Sequence, residues 1–370
     1  MQRYEEISKR IVQWFKTGKS YPYEMRINPT NKCNLFCLPC VSRGRPTYKK
    51  NKELSTKTYL RIIKEASEIR VRRVDVCGGG EPFARNDTIK ILKEIKENGM
   101  EGTISTNGTL IKREIAKKLV EMEWDEIRFS INGPNEEIDD YLRGVKGAFK
   151  LSLKAIGYLN HFKKKFKKEK PKLIIMPVIT SFNYRSVAEF VKLSVDLKVD
   201  SLILQPFMSE VLPGYKPSEE ERRKISKKLM LSEKQAIEFR KVLKEAKKVA
   251  EKSGLNTNID SLIGVDVRQK TSELIKGESK KYKKKYLKIP CYVPWWDLDI
   301  SVEGEVGPCF RADKRFNLRD ISLDEAWNSD YFNSFRKMLA EGKIPNICKD
   351  CCAITTYDNQ KIREKLSELS

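Results

Sequence analysis

Three cysteines, Cys33, Cys37 and Cys40, stand in the run Asn28-Pro-Thr-Asn-Lys-Cys-Asn-Leu-Phe-Cys-Leu-Pro-Cys, a C-x3-C-x2-C spacing. A [4Fe–4S] cube has four irons and normally takes four thiolates, so a loop offering three leaves one iron open to a ligand from outside the protein. The competing reading is structural zinc, which needs a fourth ligand close by. The sequence offers none: the only histidine, His161, lies far downstream, and Cys77 follows a different predicted strand. Nine cysteines in 370 residues, with no hydrophobic signal segment, do not make a dense secreted disulfide framework, so a reducing cytoplasm is the expected location.

The length allows a domain with a large core plus a smaller one, and no apolar run approaches membrane-spanning length. The 74 Lys+Arg against 51 Asp+Glu leave a net charge of +23, which draws anions toward the surface. Much of that excess sits in solvated helix faces and in the runs Lys163 to Lys172 and Lys280 to Lys288, where the plain explanation is a soluble, heat-adapted surface.

Short β-type runs alternate with helix-period segments, the pattern of parallel βα units. Strands are predicted near Tyr23 to Asn28, Arg73 to Cys77, Gly102 to Thr106, Glu126 to Ile131, Leu173 to Ile179 and Ser201 to Gln205. Ser55, Asn86-Asp87 and Ser186 mark helix starts. Six units make an incomplete, TIM-like (β/α)6 barrel, with catalytic groups expected at the C-terminal strand ends, and the three-cysteine loop follows the first strand directly. The expected organisation is an N-terminal helix over 1–22 capping the barrel bottom, the barrel over 23–212, a helical lysine-rich connection over 213–289, and a small cysteine-bearing domain over 290–370.

The second strand runs into Val76-Cys77-Gly78-Gly79-Gly80-Glu81-Pro82, where glycines let the backbone approach a ligand without a Cβ in the way. After a C-x3-C-x2-C loop, this run resembles the Gly-Gly-Glu-Pro motif of the radical S-adenosylmethionine (SAM) superfamily. The resemblance implies that SAM chelates the open iron through its amino and carboxylate groups. It also implies that the strand end at Gly79, Gly80 and Glu81 receives the amino group, and that an electron from the reduced cluster splits the sulfonium to give a 5′-deoxyadenosyl radical. Cys77 itself is read as a small buried hydrophobe. The next two strands end in Ser105-Thr106-Asn107-Gly108-Thr109 and Arg128-Phe129-Ser130-Ile131-Asn132-Gly133, polar clusters that suit ribose hydroxyls and a carboxylate, or that simply turn the chain. The stretch from Ser130 through Asp140-Tyr141-Leu142-Arg143-Gly144 resembles the family's Ser-x-Asp-Gly…Asp-x-x-Arg-Gly segment, which makes Asn107, Ser130 and Arg143 candidate cofactor ligands. Two departures are Asn132, in place of the usual Asp, and Pro39, where many relatives carry an aromatic that packs on adenine.

Cys291 and Cys309 bracket a predicted hairpin turning at Glu303-Gly304, and Cys348-Lys-Asp-Cys351 lies beyond two helical segments. The pattern Cys291-x12-Gly304-x4-Cys309, then Cys348-x2-Cys351, resembles the twitch form of the SPASM/twitch group. That implies an auxiliary [4Fe–4S] cluster on Cys291, Cys309, Cys348 and Cys351, with Cys352 spare. A four-cysteine zinc ribbon is the alternative, because thiolates suit both metals. Trp295, Trp296, Asp297 and Arg311 sit beside these ligands, either as packing or within reach of a substrate cavity.

The expected function is an oxidoreductase that cleaves SAM reductively and abstracts hydrogen from a C–H of a small, sugar-like or phosphorylated substrate, anionic in keeping with the positive balance. The auxiliary cluster would take the substrate's electron, and a ferredoxin or flavodoxin would supply the reducing one. No membrane or nucleic-acid partner is expected, since the Lys163 to Lys172 run holds one phenylalanine rather than interleaved aromatics. Two alternatives stand beside it: a maturase acting on a peptide or protein by epimerisation, crosslinking or side-chain oxidation, and a non-enzymatic iron–sulfur electron carrier. A carrier has no need of so large a barrel.

Overall fold

A computed structural model describes residues 2–40, 52–207, 219–263, 285–309, 316–345, 348 and 354–369. In chain order it gives α1 (Gln2–Thr17), β1 (Glu24–Ile27), α2 (Thr56–Glu68), β2 (Arg73–Val76), α3 (Thr88–Glu97), β3 (Glu101–Thr106), α4 (Arg113–Glu121) and β4 (Glu126–Phe129). Then follow α5 (Glu136–Arg143), α6 (Ala148–Phe166), β5 (Lys172–Ile175), β6 (Val178–Ile179), α7 (Val187–Asp196), β7 (Ser201–Leu202) and β8 (Gln205–Pro206). Local chemistry explains the boundaries. The Ser55 hydroxyl accepts from the amide of Thr58 at the start of α2, and the Asn135 side chain does the same for Ile138 at the start of α5. Gly144, at φ +70°, ends α5 in the left-handed region.

The six expected βα units are present, and the sheet goes further. Past the helices Glu219–Leu229 and Glu233–Ser253 comes β9 (Asn256–Thr257), and the C-terminal segment adds β10 (Asp297–Ile300), β11 (Glu305–Gly307) and β12 (Phe316–Asn317). Parallel strands run in the order β10-β1-β2-β3-β4-β5-β7-β9, so β9 extends one edge and β10 pairs with β1 at the other, Glu24 opposite Asp297 and Ile27 opposite Ile300. β11 and β12 continue that edge antiparallel, and β6 and β8 form a separate parallel pair.

Four strands read Glu-Met-Arg-Ile, Arg-Val-Asp-Val, Glu-Ile-Arg-Phe and Asp-Leu-Asp-Ile, a strict alternation. Met25, Ile27, Val74, Val76, Ile127, Phe129, Leu298 and Ile300 face the surrounding helices in one core that also holds Trp327 and Phe332 of the C-terminal segment. The charged partners in the alternation turn to the lumen. A second cluster joins Ile7, Ile11 and Trp14 of α1 to Tyr292, Trp295, Trp296, Ile362 and Leu366. The Arg10 guanidinium donates to the carbonyls of Tyr21, Pro22 and Arg70, which holds α1 at the N-terminal ends of β1 and β2 as well as against the C-terminal helix Ile354–Glu368.

Candidate functional site

The three-cysteine loop leaves β1 at the C-terminal end of the parallel strands. Cys33 and Cys40 are exposed and Cys37 is half-buried. Burial pushes the Cys37 thiol up to about 12, with Cys40 and Cys33 adding to the effect, and Cys33 is raised for the same first reason. The sulfurs therefore feel one another, and ionising all three calls for a cationic metal group. Among the described residues no three of His, Cys, Asp or Glu gather around a point as one metal ion requires. A cube takes one thiolate per iron, and the three thiolates of this loop are the donor set of a cube with one iron left open.

The glycine run docks against this loop. The amide of Gly80 donates to the Thr30 carbonyl at 2.8 Å and that of Glu81 to the Lys32 carbonyl at 2.7 Å. A Cβ on Gly80 would lie 1.9 Å from the Lys32 carbonyl oxygen, and one on Gly79 2.8 Å from that of Thr30. The close approach that demands glycine here is thus to the chain itself. From the other side the amides of Phe36 and Leu38 donate to the carbonyls of Arg143 and Leu142, and the Glu53 carboxylate accepts from Thr30 Oγ1 at 2.8 Å and the Asn31 amide at 2.9 Å.

Glu81, Asn107 and Arg143 form the frame behind the loop. Glu81 is buried, and its carboxylate accepts from Thr106 Oγ1 at 2.6 Å, the Asn107 amide at 2.6 Å and the Phe83 amide at 3.2 Å. Burial raises its pKa against the pull of those donors. The Asn107 side-chain amide donates to Asn34 Oδ1 at 2.9 Å and lies 4.0 Å from Cys33 Sγ. Arg143, fully buried, donates to Asp139 Oδ2 at 3.0 Å, to Ser152 Oγ at 2.8 Å and to the Asn107 carbonyl. Removing either member of the Arg143–Asp139 pair would leave a buried charge uncompensated, at about 3–5 kcal/mol. Glu81 and Arg143 thus bond the protein around the loop and help to position it. Ser130 stands apart, partly exposed at the end of β4 with its amide on the Thr106 carbonyl. Asn132 brackets β6: its Oδ1 accepts from the Val178 amide at 2.8 Å, a task that needs no charge.

Below this frame the lumen is ionic. Asp75 accepts from Thr103 Oγ1 at 2.7 Å and faces Arg128 Nη1 at 3.4 Å and Arg26 Nε at 3.8 Å. Burial opposes the Asp75 carboxylate, but Arg128 and Arg26 outweigh it and hold its pKa below the usual range. Arg26 also reaches Asp297 Oδ2 at 3.4 Å. Asp297 has the opposite balance: burial pushes its carboxyl up to about 7 despite Arg26, with Glu24 and Asp299 contributing. Cys77 belongs to this lumen and not to the apolar core, its Sγ 3.4 Å from Asp75 Oδ2. From sequence, Asp297 reads as packing or within reach of a substrate cavity and Cys77 as a buried hydrophobe, while Asp75 and Arg26 are not singled out, although the charged/apolar alternation in four strands is the available sign of a charged interior.

The second cysteine set is built differently. Cys291 and Cys309 pack, half-buried, against the aromatic cluster of α1 and Trp295, and the amide of Cys348 donates to the Pro345 carbonyl at 2.9 Å. The C-terminal helix clamps the approach to Cys291, Arg363 donating to the carbonyls of Leu287 and Ile289 and Asn359 Oδ1 accepting from the Tyr292 amide. Trp295 and Trp296 are packing residues, Trp295 edge-on to Trp14 at 5.3 Å and Trp296 under the Arg3 guanidinium at 5.1 Å. Cys351, Cys352 and Arg311 lie outside the described residues.

Residues 27–194 match the family model of the radical SAM superfamily, and residues 291–352 that of SPASM, an iron–sulfur cluster-binding domain. The mycofactocin maturase MftC of Mycolicibacterium smegmatis is 32% identical over 152 residues, 41% of this chain and 38% of that protein. Fe-coproporphyrin III synthase of Methanosarcina barkeri is 38% identical over 129 residues, 35% of this chain and 32% of that protein. Neither alignment is long enough to take in both family matches, and each spans well under half of the relative. SuiB of Streptococcus suis, bound to precursor peptide SuiA, superposes over 96% of this chain and 74% of its own with a TM-score of 0.66 at 19% identity, a likeness of fold. No helix of the described residues is long and apolar enough to cross a membrane. With a three-thiolate loop at the mouth of a parallel barrel and a second cysteine set gathered from around the hairpin that extends it, the chain belongs to the radical SAM superfamily, built for a [4Fe–4S] cluster with SAM and carrying a SPASM domain for auxiliary iron–sulfur binding.

Proposed function

We propose that this enzyme modifies a peptide, abstracting hydrogen from a C–H of the bound chain. The similarity to mycofactocin maturase carries this reading, and it displaces the small sugar-like substrate expected from the sequence. The barrel mouth supports it. Phe36 of the cysteine loop, Tyr141 of α5 and Phe182 after β6 are exposed on that side, with Lys228 Nζ 5.4 Å from the Phe182 ring and 2.9 Å from the Tyr141 hydroxyl. Exposed rings beside a cation suit an extended chain better than an enclosed small molecule.

When bound, the first cluster and SAM supply a carbon radical through one-electron chemistry. The residues of this chain place it: Gly80, Glu81, Asn107 and Arg143 fix the loop, and the lumen layer of Arg26, Asp75 and Arg128 presents fixed charges beneath. Cys33, Cys37 and Cys40 would hold the first cluster, and Cys291, Cys309, Cys348 and Cys351 the auxiliary one. A second reading, modification of a tetrapyrrole, rests on the identity to Fe-coproporphyrin III synthase.

Formation of 5′-deoxyadenosine separates them. Reconstituted enzyme with SAM and dithionite should respond to the peptide fraction of the source cells, and digesting that fraction with protease beforehand should remove the response. Stimulation that survives protease and is reproduced by an iron tetrapyrrole fraction from the same cells would overturn the peptide reading in favour of the second.

A further inference from the structure

Asn359, on the C-terminal helix, has a side-chain amide that is only half satisfied. Its Oδ1 accepts from the Tyr292 amide at 2.8 Å, and that amide belongs to the peptide bond that Cys291 makes with its neighbour. A backbone N–H can face only an acceptor, so this bond fixes which way the side-chain amide is turned. The Nδ2 on the same carbon is buried, in a residue 3% exposed, and has no hydrogen-bond partner. One helical turn further on, Arg363 donates to the carbonyls of Leu287 and Ile289 and stands over the Tyr292 ring at 5.5 Å. One face of the helix thus grips the chain on both sides of Cys291.

A second observation of the same kind lies beside it. Trp14 and Trp295, edge-on to each other at 5.3 Å, also keep buried indole N–H groups without a partner, as does Trp296. All three belong to the aromatic cluster against which Cys291 and Cys309 pack. An isolated orphan is a packing cost, but several buried donors around a pair of cysteines, every one an N–H, call for an acceptor-rich group. A [4Fe–4S] cube held by thiolates is such a group, because its sulfides and its cysteine sulfurs accept and its net charge is negative. We propose that Asn359 donates its side-chain N–H to a sulfur of the auxiliary cluster and thereby makes that cluster easier to reduce. Reduction adds negative charge to the sulfurs, and a hydrogen bond to them stabilises the reduced form more than the oxidised one. The inference rests on the assignment of Cys291, Cys309, Cys348 and Cys351 to the auxiliary cluster and holds whether the substrate is a peptide or a tetrapyrrole.

The test uses the full chain with Cys33, Cys37 and Cys40 replaced by alanine, so that the auxiliary cluster alone is read. With the side-chain amides of asparagine labelled with 15N, electron–nuclear double resonance of the reduced cluster should show a 15N coupling. The coupling should vanish in Asn359→Leu and in Asn359→Asp, whose carboxyl keeps an oxygen for the Tyr292 amide but has no amide nitrogen. A redox titration followed by electron paramagnetic resonance should show the reduction equilibrium of Asn359→Leu shifted tenfold or more toward the oxidised cluster, about 59 mV for one electron. Its iron content should stay at about four. An unchanged midpoint with full iron, no 15N coupling with Asn359 intact, or a coupling that persists in Asn359→Asp would overturn the proposal. Where a substituted protein fails to fold or to take up iron, the presence or absence of the coupling with Asn359 intact decides alone. Tightly bound zinc in place of iron would overturn the cluster assignment and this proposal with it, whereas a filled cluster without the coupling overturns this proposal alone.

Discussion

The two cysteine sites are assembled by opposite means. Cys33, Cys37 and Cys40 come from one short loop, held by the ends of β1, β2, β3 and α5 and by Glu53 just before α2. Cys291, Cys309 and Cys348 come from distant stretches, and their positions depend on β10 pairing with β1 and on α1 and the C-terminal helix closing around Tyr292 and Trp295. The first site is a product of local chain chemistry with a buried polar frame. The second is a product of tertiary packing, so damage to one should not pass to the other. The strongest break of that contrast would be reciprocal failure. Replacing Cys33, Cys37 and Cys40 together by alanine should abolish SAM cleavage and remove about four irons. Cys348→Ala should also lower the iron content by about four but leave abortive SAM cleavage within a few-fold of the parent. Iron analysis and 5′-deoxyadenosine assay check both, and cleavage lost in the Cys348 variant would show that the sites are coupled.

Glycines sharpen the comparison. A Cβ at Gly80 would strike the Lys32 backbone, which cannot move without taking the cysteine loop along. Gly304, at the tip of the hairpin, has φ +86°, and a Cβ there would meet the side chains of Leu54, Cδ2 at 2.7 Å, and Asn317, Oδ1 at 3.3 Å, rather than backbone. Gly80→Ala should therefore cut first-cluster occupancy and SAM cleavage more than about tenfold, since a misplacement of an ångström near a reacting group is already that costly. Gly304→Ala should cost about 1–2 kcal/mol of stability from left-handed strain and spare cleavage. Electron paramagnetic resonance of the reduced first cluster and denaturant melts distinguish the two.

How much of this was legible in the sequence follows from the same contrast. The cysteine loop, the glycine run and the polar strand ends could be read because each is a contiguous segment whose spacing carries its chemistry. β9 could not be read, being two residues long, and β10 reads as one arm of a hairpin until β1 is seen beside it. Pairing partners are a tertiary choice that side-chain pattern alone does not make. Glu81 and Arg143 are read as cofactor ligands from a motif, and burial and partner geometry add a framing role that the sequence does not show. The glycines are read as letting the backbone approach a ligand, and the close contact with Lys32 and Thr30 adds a second demand for glycine from the chain itself.

The junction between the two regions is testable through Asp297, a β10 residue buried in the barrel lumen. Its pKa rises from 3.8 to about 7 on folding, chiefly through burial. The folded state then binds a proton more tightly than the unfolded chain. The stability this adds is complete below pH 3.8 and is lost as pH climbs through about 7. Asp297→Asn should remove that slope, so the parent should lose on the order of a few kcal/mol relative to the variant between pH 5 and pH 8. Urea unfolding at several pH values checks it, and parallel curves for the two proteins would mean that β10 does not bury this carboxyl in the barrel.

The smallest effect should come from the helix Leu323–Asn328, which props the C-terminal region against the barrel from outside the lumen. Ser322 caps it in a capping box: its hydroxyl accepts from the Glu325 amide at 3.2 Å, while Glu325 accepts from the Ser322 amide at 2.7 Å. The helix start is tied to α2, Leu323 donating its amide to Glu65 Oε2 at 2.9 Å, and its far end carries Trp327, whose indole donates to the Ser20 carbonyl at 2.7 Å. Ser322→Ala removes one acceptor at an exposed helix end, a loss of about 1 kcal/mol. Because Trp327 and Leu323 stay buried in the barrel core, the strand pairing of β10 with β1 should survive and both iron sites should fill as in the parent. A urea midpoint lowered by that amount with unchanged iron fits packing as the organiser of the second site. Loss of auxiliary iron alone would instead mean that this short helix, more than the β10–β1 pairing, sets where Cys309 and Cys348 stand.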